Sequence, residues 1–155
     1  NLGTCGGFAG QIMRGEILMP DRTIAYDIIE QMGNTQESVD FYTTSLDYSW
    51  LNQPYPFHVQ TGILLSADRD IIPAEIPSLI QTYHAQAADW ESASIAWVTV
   101  QRNHRRCLIL RGASDLVSKQ GGEAYHGIDF FNKSAEKIMT RLCDSLPGWI
   151  KCAGY

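Results

Sequence analysis

Short apolar runs alternate along this sequence with longer segments of helical spacing, and this alternation limits the folds that the chain can adopt. Residues 59–66 (Val-Gln-Thr-Gly-Ile-Leu-Leu-Ser) become fully apolar toward their end, as a strand covered on both faces does. The next segment, Pro73 to His84, carries one apolar helical stripe made of Ile76, Leu79, Ile80 and Tyr83. Strands that alternate with helices in this way predict an α/β domain around a largely buried sheet.

The other predicted elements share an apolar run or stripe bounded by polar or turn residues. They are strands at residues 15–20, 23–29 and 107–110 and helices at 89–100 and 130–146. The polar segment 34–56 is predicted to be an irregular surface excursion with one helical turn near 37–41. No internal repeat or linker is evident, so residues 1–155 are expected to form one domain.

Composition excludes several classes of protein. With 45% hydrophobic and 19% charged residues among 155, the chain can form a core and is not of the disordered type. A net charge of -5 gives no field for nucleic acid, and we interpret the short basic cluster (Arg102, His104, Arg105, Arg106) as a solvated helix end. No apolar stretch approaches the roughly 20 residues of a membrane-spanning helix, so no membrane partner is expected.

The cysteines give no sign of a metal site. Cys5, Cys107, Cys143 and Cys152 are scattered without the spacing of zinc ligands or of a dense disulfide framework. We therefore expect reduced thiols, no bound metal and a cytoplasmic location. The sequence places no base beside Cys5, which disfavours a nucleophilic role.

Three stretches carry residues suited to ligand binding. The first, Gly3 to Gly7, is predicted to be a Gly-rich turn in which glycines let the backbone approach a ligand and Thr4 adds a hydroxyl. A purely structural turn is the alternative.

The second stretch contains Asp89, Trp90 and Glu91 at the predicted start of a helix. Asp89 suits a helix cap, since carboxylates are stabilised in a first turn. Glu91 beside an aromatic ring suits a sugar, because a carboxylate accepts hydrogen bonds from vicinal hydroxyls while the ring covers the apolar sugar face.

The third stretch, Leu110 to Asp115, directly follows a predicted apolar strand. An aspartate at that point can act as a proton donor if partial burial raises its pKa. The alternative is that Ser114 and Asp115 only cap a turn.

Taken in order, these stretches carry a family resemblance. The relevant segments are Asn-Leu-Gly-Thr-Cys-Gly-Gly-Phe (1–8), Gly-Glu-Ile-Leu (15–18), Gly-Ile-Leu-Leu-Ser-Ala-Asp (62–68), Asp-Trp-Glu-Ser-Ala-Ser-Ile-Ala (89–96) and Leu-Arg-Gly-Ala-Ser-Asp-Leu (110–116). The set resembles the methylthioadenosine/S-adenosylhomocysteine nucleosidase branch of the purine nucleoside phosphorylase superfamily. The resemblance implies a three-layer α/β/α fold with a central mixed, twisted sheet.

The same resemblance implies roles for individual residues. Glu91 corresponds to the glutamate that binds the ribose hydroxyls, Trp90 to the residue packing on the sugar, and Ser114 and Asp115 to the pair at the purine. Asp115 is then the general acid that protonates N7. Thr4 and Gly6 resemble the turn that holds the attacking water or phosphate, and Ile71 a residue whose backbone amide meets the purine edge.

The implied activity is cleavage of the N-glycosidic bond of a purine nucleoside without a cofactor. The branch favours hydrolysis of methylthioadenosine or S-adenosylhomocysteine to adenine and the ribosyl product. A phosphate-dependent phosphorylase, a non-catalytic nucleoside-binding module of the same fold, and an unrelated α/β domain remain alternatives.

The chain departs from the family pattern at several positions. Nothing corresponds to the family's N-terminal segment, which supplies the first strands of the sheet and the glutamate that activates water, so the chain is expected to be incomplete or inactive as given. Asp70 stands where the family has an aromatic residue that stacks on the base. Trp90 stands in place of methionine, and Ala67 in place of glycine.

Family members are commonly homo-oligomers, so a homodimer or higher homo-oligomer is expected. The excursion is also rich in aromatic residues, a composition typical of association surfaces, with local packing beneath the loop as the alternative. Those residues are Phe41, Tyr42, Tyr48, Trp50, Tyr55 and Phe57.

Overall fold

The computed structural model describes residues 1–155 except for the side chain of His126. In the part of the chain that the structure describes, seven strands form one mixed sheet and four α-helices pack against it. The strands are β1 (Leu2–Phe8), β2 (Ile17–Ala25), β3 (Thr44–Ser45), β4 (Gln60–Ser66), β5 (Ala85–Asp89), β6 (Leu110–Ser118) and β7 (Gly121–Gly122). The helices are α1 (Thr35–Phe41), α2 (Ile76–Tyr83), α3 (Ser92–Ala96) and α4 (Ile128–Cys152).

The sheet curls back on itself. Its order is β3-β2-β4-β5-β1-β6-β7, and β2 pairs with β6 as well as with β4. The pairs β1–β6, β2–β4 and β4–β5 are parallel, whereas β1–β5 and β2–β6 are antiparallel. Five strands therefore form a closed ring, with β3 and β7 as short additions.

Both faces of the sheet are buried, which explains the continuous apolar runs. Leu64 and Leu65 are both fully buried but belong to different core clusters, because successive strand residues point to opposite faces. Ala87 and Ala88 alternate in the same way. Helices cover the sheet on both sides, and the predicted α/β fold with a mixed central sheet is confirmed.

The longest helix, α4, is anchored by its C-terminal end. Trp149 is 2% exposed, and its ring lies 5.1 Å from that of Tyr55 and 5.6 Å from that of Phe57. The sequence predicted a helix ending at 146, before Pro147 and Gly148. The helix continues to Cys152 because burial of Trp149 and Cys152 outweighs the poor helix propensity of Pro147 and Gly148.

Two of the predicted turns are wrong. Gly3 to Gly7 lies within β1, where the glycines pair with β5 and β6 instead of forming a turn. Strand β6 begins at Leu110 and runs to Ser118, so Asp115 lies within a strand and not after one. The apolar run 107–110 marked only the approach to that strand.

Two predicted boundaries also differ. The strands expected at 15–20 and 23–29 are one strand, β2, with a register irregularity between Pro20 and Arg22. The helix expected at 89–100 is the end of β5 followed by α3 and a π-helical turn over Trp97–Arg102. The Ala-rich residues of β5 hid this strand, because alanine has little strand preference. The strand at 59–66, the helix at 73–84 and the turn at 37–41 are found close to where they were expected.

The aromatic excursion packs against its own chain. Tyr55 and Phe57 contact Trp149, the Tyr48 hydroxyl donates to the Pro20 carbonyl at 2.9 Å, and the Trp50 indole donates to the Asp47 carbonyl at 2.7 Å. These four rings therefore pack locally, whereas Phe41 and Tyr42 are 62% and 40% exposed. The association surface stays a prediction. The homo-oligomer itself stays a prediction.

In the described part of the chain, no helix is both long enough and apolar enough to cross a membrane. The basic cluster at 102–106 is exposed, as expected of a solvated segment.

Replacing Trp149 with alanine should lower the free energy of unfolding by about 3–5 kcal/mol, because it empties the cluster that holds α4. Urea denaturation of the purified protein measures this change. Ile150→Ala is the matched control on the same helix, since Ile150 is 46% exposed, and it should stay within about 0.5 kcal/mol of the parent. Equal losses in the two variants would contradict the anchoring role of Trp149.

Candidate active site

One pocket gathers all seven residues that the sequence named as site residues. Its volume is about 410 Å³, and its lining includes Thr4, Gly6, Ile71, Trp90, Glu91, Ser114 and Asp115. A cavity of this size is typical of small-molecule sites. Ile71 follows β4, and Trp90 and Glu91 follow β5, so the carboxyl ends of two parallel neighbours meet there.

Strands β1 and β6 contribute their middles to the pocket, not their ends. Cys5 pairs with Ala113 but Gly6 pairs with Asp115, so Ser114 is an extra residue that interrupts the register. A bulge of this kind re-aims the side chains beside it. It explains how Ser114 and Asp115, inside a strand, both line the pocket.

Gly6 has a packing role that the sequence did not indicate. A Cβ atom at this position would lie 2.6 Å from Cδ1 of Ile71. The glycine therefore makes room for the Ile71 side chain, and Ile71 contributes an apolar surface to the pocket.

Asp115 is held in a state suited to proton donation. Its residue is 5% exposed, and the Ser114 hydroxyl donates to its Oδ1 at 2.8 Å. Burial raises the pKa of Asp115, and the charge of Glu123 raises it further, against the lowering effect of the Ser114 hydrogen bond. The carboxyl group therefore keeps its proton to a higher pH than an ordinary aspartate.

A buried ion pair lies beneath the pocket. Arg111 and Asp89 are both under 10% exposed, and Nε of Arg111 lies 2.8 Å from Oδ2 of Asp89. Arg111 also donates to the Ser92 hydroxyl at 2.9 Å, and the Ser66 hydroxyl donates to Asp89 at 2.6 Å. Both charges are thus paired and hydrogen bonded, which a buried pair requires.

The same arginine reaches Glu91. Nη2 of Arg111 lies 3.2 Å from Oε2 of Glu91, whose side chain is 53% exposed. Arg111 therefore links a buried carboxylate to one at the pocket wall and fixes the direction in which Glu91 points. A Cβ atom at residue 3 would clash with Nη1 of Arg111, so this arrangement requires Gly3.

Asp89 and Trp90 occupy positions consistent with their sequence interpretations. The Asp89 carboxylate accepts from the backbone N–H of Ser92, the first residue of α3, whereas the N-cap position itself is Glu91, whose side chain forms no capping hydrogen bond. Trp90 is 58% exposed at the pocket, and its indole donates to the Arg69 carbonyl at 3.2 Å.

Sequence reasoning missed several pocket residues, notably Tyr26, Arg69 and Tyr125. The Tyr125 hydroxyl donates to the Ile71 carbonyl at 2.7 Å, which joins the segment after β7 to the segment after β4. Arg69 lies 5.4 Å from the centroid of the Tyr26 ring. These residues come from separate segments with no shared motif, so no local pattern could have grouped them. Asp70, at the departure from the family pattern, also lines the pocket.

Cys5 lines the pocket but remains a thiol. Burial raises its pKa, with nearby Asp89 adding to the effect, which disfavours the nucleophilic thiolate. All four cysteines are free, and among the described side chains no three metal-binding groups come together.

The sequence of this chain matches the model of a known protein family over most of its length. The model of the phosphorylase superfamily matches residues 1–147. The chain belongs to the phosphorylase superfamily. It is thus a member of a family of enzymes, as the motifs indicated, although no curated protein sequence matches it.

Solved structures show the same fold. The 5′-methylthioadenosine/S-adenosylhomocysteine nucleosidase from Helicobacter pylori with butyl-thio-DADMe-Immucillin-A is similar with a TM-score of 0.71 and 19% identity, covering 94% of this chain and 67% of that one. The futalosine hydrolase of Helicobacter pylori is similar with a TM-score of 0.73 and 18% identity, and the match covers 97% of this chain and 66% of that one. The 5′-methylthioadenosine nucleosidase of Arabidopsis thaliana is similar with a TM-score of 0.67 and 19% identity, and the match covers 93% of this chain and 59% of that one. The chain thus spans about two thirds or less of each, and at these identities the likeness establishes the fold.

Replacing Arg111 with methionine should lower the free energy of unfolding by about 3–5 kcal/mol, because it leaves the buried Asp89 carboxylate without its partner. Adding Asp89→Asn to Arg111→Met should recover part of the loss, which urea denaturation of the single and the double variant measures. Arg14→Met is the control, since it breaks an exposed ion pair with Glu123 and should cost about 1 kcal/mol or less. A single variant no worse than this control would contradict the role of the buried pair.

Proposed function

We propose that this protein cleaves the N-glycosidic bond of a purine nucleoside, with Asp115 as the general acid and Glu91 as the ribose-binding carboxylate. The observation that carries the proposal is their placement. An aspartate whose pKa is raised and a glutamate directed by Arg111 line one pocket of about 410 Å³. Family membership supports the same reaction class.

The proposed chemistry begins at the base. Asp115 donates its proton to N7 of the purine, so the base departs as a neutral leaving group. As the bond lengthens, positive charge develops on the ribose. The Glu91 carboxylate accepts from the 2′-hydroxyl and stabilises this charge as it forms.

The remaining named residues have supporting parts in this scheme. The exposed face of Trp90 covers the apolar side of the sugar, and the Thr4 hydroxyl holds the attacking molecule. Ser114 keeps Asp115 aimed into the pocket, while Ile71 provides an apolar edge for the base.

Water is the proposed nucleophile, and methylthioadenosine and S-adenosylhomocysteine are the substrates to test first. Solved structures with this fold include nucleosidases for these compounds, which supports the choice. Phosphate is the alternative nucleophile. Purine release from both compounds and from inosine, measured with and without phosphate, separates the two reactions. Strict phosphate dependence would favour the phosphorylase.

Replacing Asp115 with asparagine should lower kcat about 100- to 10,000-fold, because the amide keeps the shape but has no proton to give. In the parent, kcat/KM should fall as pH rises through the raised pKa of Asp115, and the variant should lack that limb. The fold also binds this proton more tightly than the unfolded chain. The associated stability is therefore full below the ordinary aspartate pKa and is lost as pH rises through the raised value.

A purine-release assay across pH, beside thermal unfolding, measures these effects. Asp144→Asn makes the same chemical change on the exposed side of α4 and should leave turnover unaltered. Asp115 is not the acid if its variant keeps more than about a third of the parent turnover.

Replacing Glu91 with glutamine should lower kcat more than it weakens substrate binding, since the carboxylate interaction strengthens as charge grows on the ribose. Steady-state kinetics with adenosine and 2′-deoxyadenosine test this, because the deoxy substrate removes the same contact from the other side. The variant should lose much less activity on the deoxy substrate than on adenosine. Equal fractional losses would argue against direct contact.

A further inference from the structure

Tyr26 carries a polar group for which the fold supplies no partner. It follows β2, is 8% exposed, and packs in the same core cluster as Phe8, Ile24 and Leu65. Its hydroxyl oxygen is buried, and no described residue forms a hydrogen bond with it. The backbone is fixed, since Tyr26 N–H donates to the Ser66 carbonyl at 3.1 Å.

A phenylalanine would fill this position more favourably if packing were its only purpose. A buried hydroxyl without a partner destabilises the fold, whereas the ring alone carries no such cost. Among the described side chains, four have a buried polar atom without a hydrogen-bond partner, namely those of Thr23, Tyr26, Thr44 and Trp149. Of these four, Tyr26 alone lines the pocket that contains Asp115 and Glu91. The missing partner is therefore to be sought among molecules that enter that pocket.

The surroundings define the hydroxyl as a donor. Burial raises the pKa of Tyr26, so the phenol stays neutral at physiological pH. The neighbouring Tyr125 commits its own proton to the Ile71 carbonyl. The hydrogen-bonding group still lacking at this wall is an acceptor for Tyr26.

Arg69 lies against Tyr26 at the pocket wall. Its guanidinium lies over the Tyr26 ring, its side chain is 35% exposed, and it is paired with Glu75 at 2.7 Å. A partly exposed ion pair of this kind is weak, so a ligand can displace the arginine at small cost.

The position of Tyr26 favours the base over the sugar. The hydrogen bond from Tyr125 to Ile71 brings the segment that follows the Asp115 strand against the segment after β4, next to Tyr26. Two phenol rings and an isoleucine thus line this side of the pocket, and such apolar surface suits a purine ring. The charged groups that suit ribose hydroxyls, Glu91 and Arg111, follow or lie on other strands.

We propose that Tyr26 is a substrate-binding residue whose hydroxyl donates a hydrogen bond to an acceptor on the six-membered ring of the purine. The acceptor is either the carbonyl oxygen of a 6-oxopurine or a ring nitrogen of a 6-aminopurine, and Tyr26 contributes to the choice between them. This inference rests on the proposed function, since it places a purine in the same pocket.

The test is Tyr26→Phe, with calorimetric binding of free hypoxanthine and free adenine beside inosine and adenosine. Binding of at least one free base should weaken about 5- to 20-fold, because its acceptor loses a buried donor. Thermal stability without ligand should stay level or rise, since no described residue forms a hydrogen bond with the Tyr26 hydroxyl. Loss with hypoxanthine alone identifies the carbonyl, and loss with adenine identifies the ring nitrogen.

Tyr83→Phe is the matched control, because Tyr83 packs on the same core cluster but does not line the pocket. It should change neither binding nor stability. Unchanged base binding by Tyr26→Phe would overturn the proposal, as would a loss seen with nucleosides but not with free bases. A parent protein that binds bases without cleaving nucleosides ends only the proposed reaction, whereas one that binds no purine ends both.

Discussion

The contact on which the site depends is the ion pair between Arg111 and Asp89. It lies under the pocket, where both charges are almost wholly removed from water. Two unpaired charges there would be very costly, so the strands that carry them must dock in a single register. Ser66 and Ser92 complete the hydrogen bonding of the pair, which joins β4, the start of α3 and β6 around one point.

This contact also converts a structural requirement into chemistry. The guanidinium pairs with Asp89 through Nε and with Glu91 through Nη2, so the same residue that secures the fold directs the exposed carboxylate. Asp115 lies on the same strand as Arg111, four positions further along. Asp115 and the group that orients Glu91 therefore keep a fixed spacing set by one strand.

The sequence was most informative where chemistry and local pattern coincide. Glu91 stood out as a carboxylate beside an aromatic ring, and Asp115 as a carboxylate that follows an apolar run. The pocket does bring the two together, with Ser114 beside them. Gly3 was misassigned to a turn, since its true constraint is the Arg111 side chain from a strand more than 100 residues away. Tyr26 and Tyr125 carried no local signal at all, because only the closing of the sheet makes them neighbours. Packing between distant segments thus accounts for most of what local patterns failed to indicate.

The closed ring of five strands has a consequence for how such a pocket can vary. In an open sheet an outer strand can splay away and widen a cleft, but β2, β4, β5, β1 and β6 each have a hydrogen-bonded neighbour on both sides. Movement of one strand is resisted in both directions around the ring. Changes in the size or chemistry of the ligand must therefore be absorbed outside it, by the residues after β4 and by the segment that carries Tyr125. Such a scaffold can keep its reacting groups fixed while the molecules it accepts diverge.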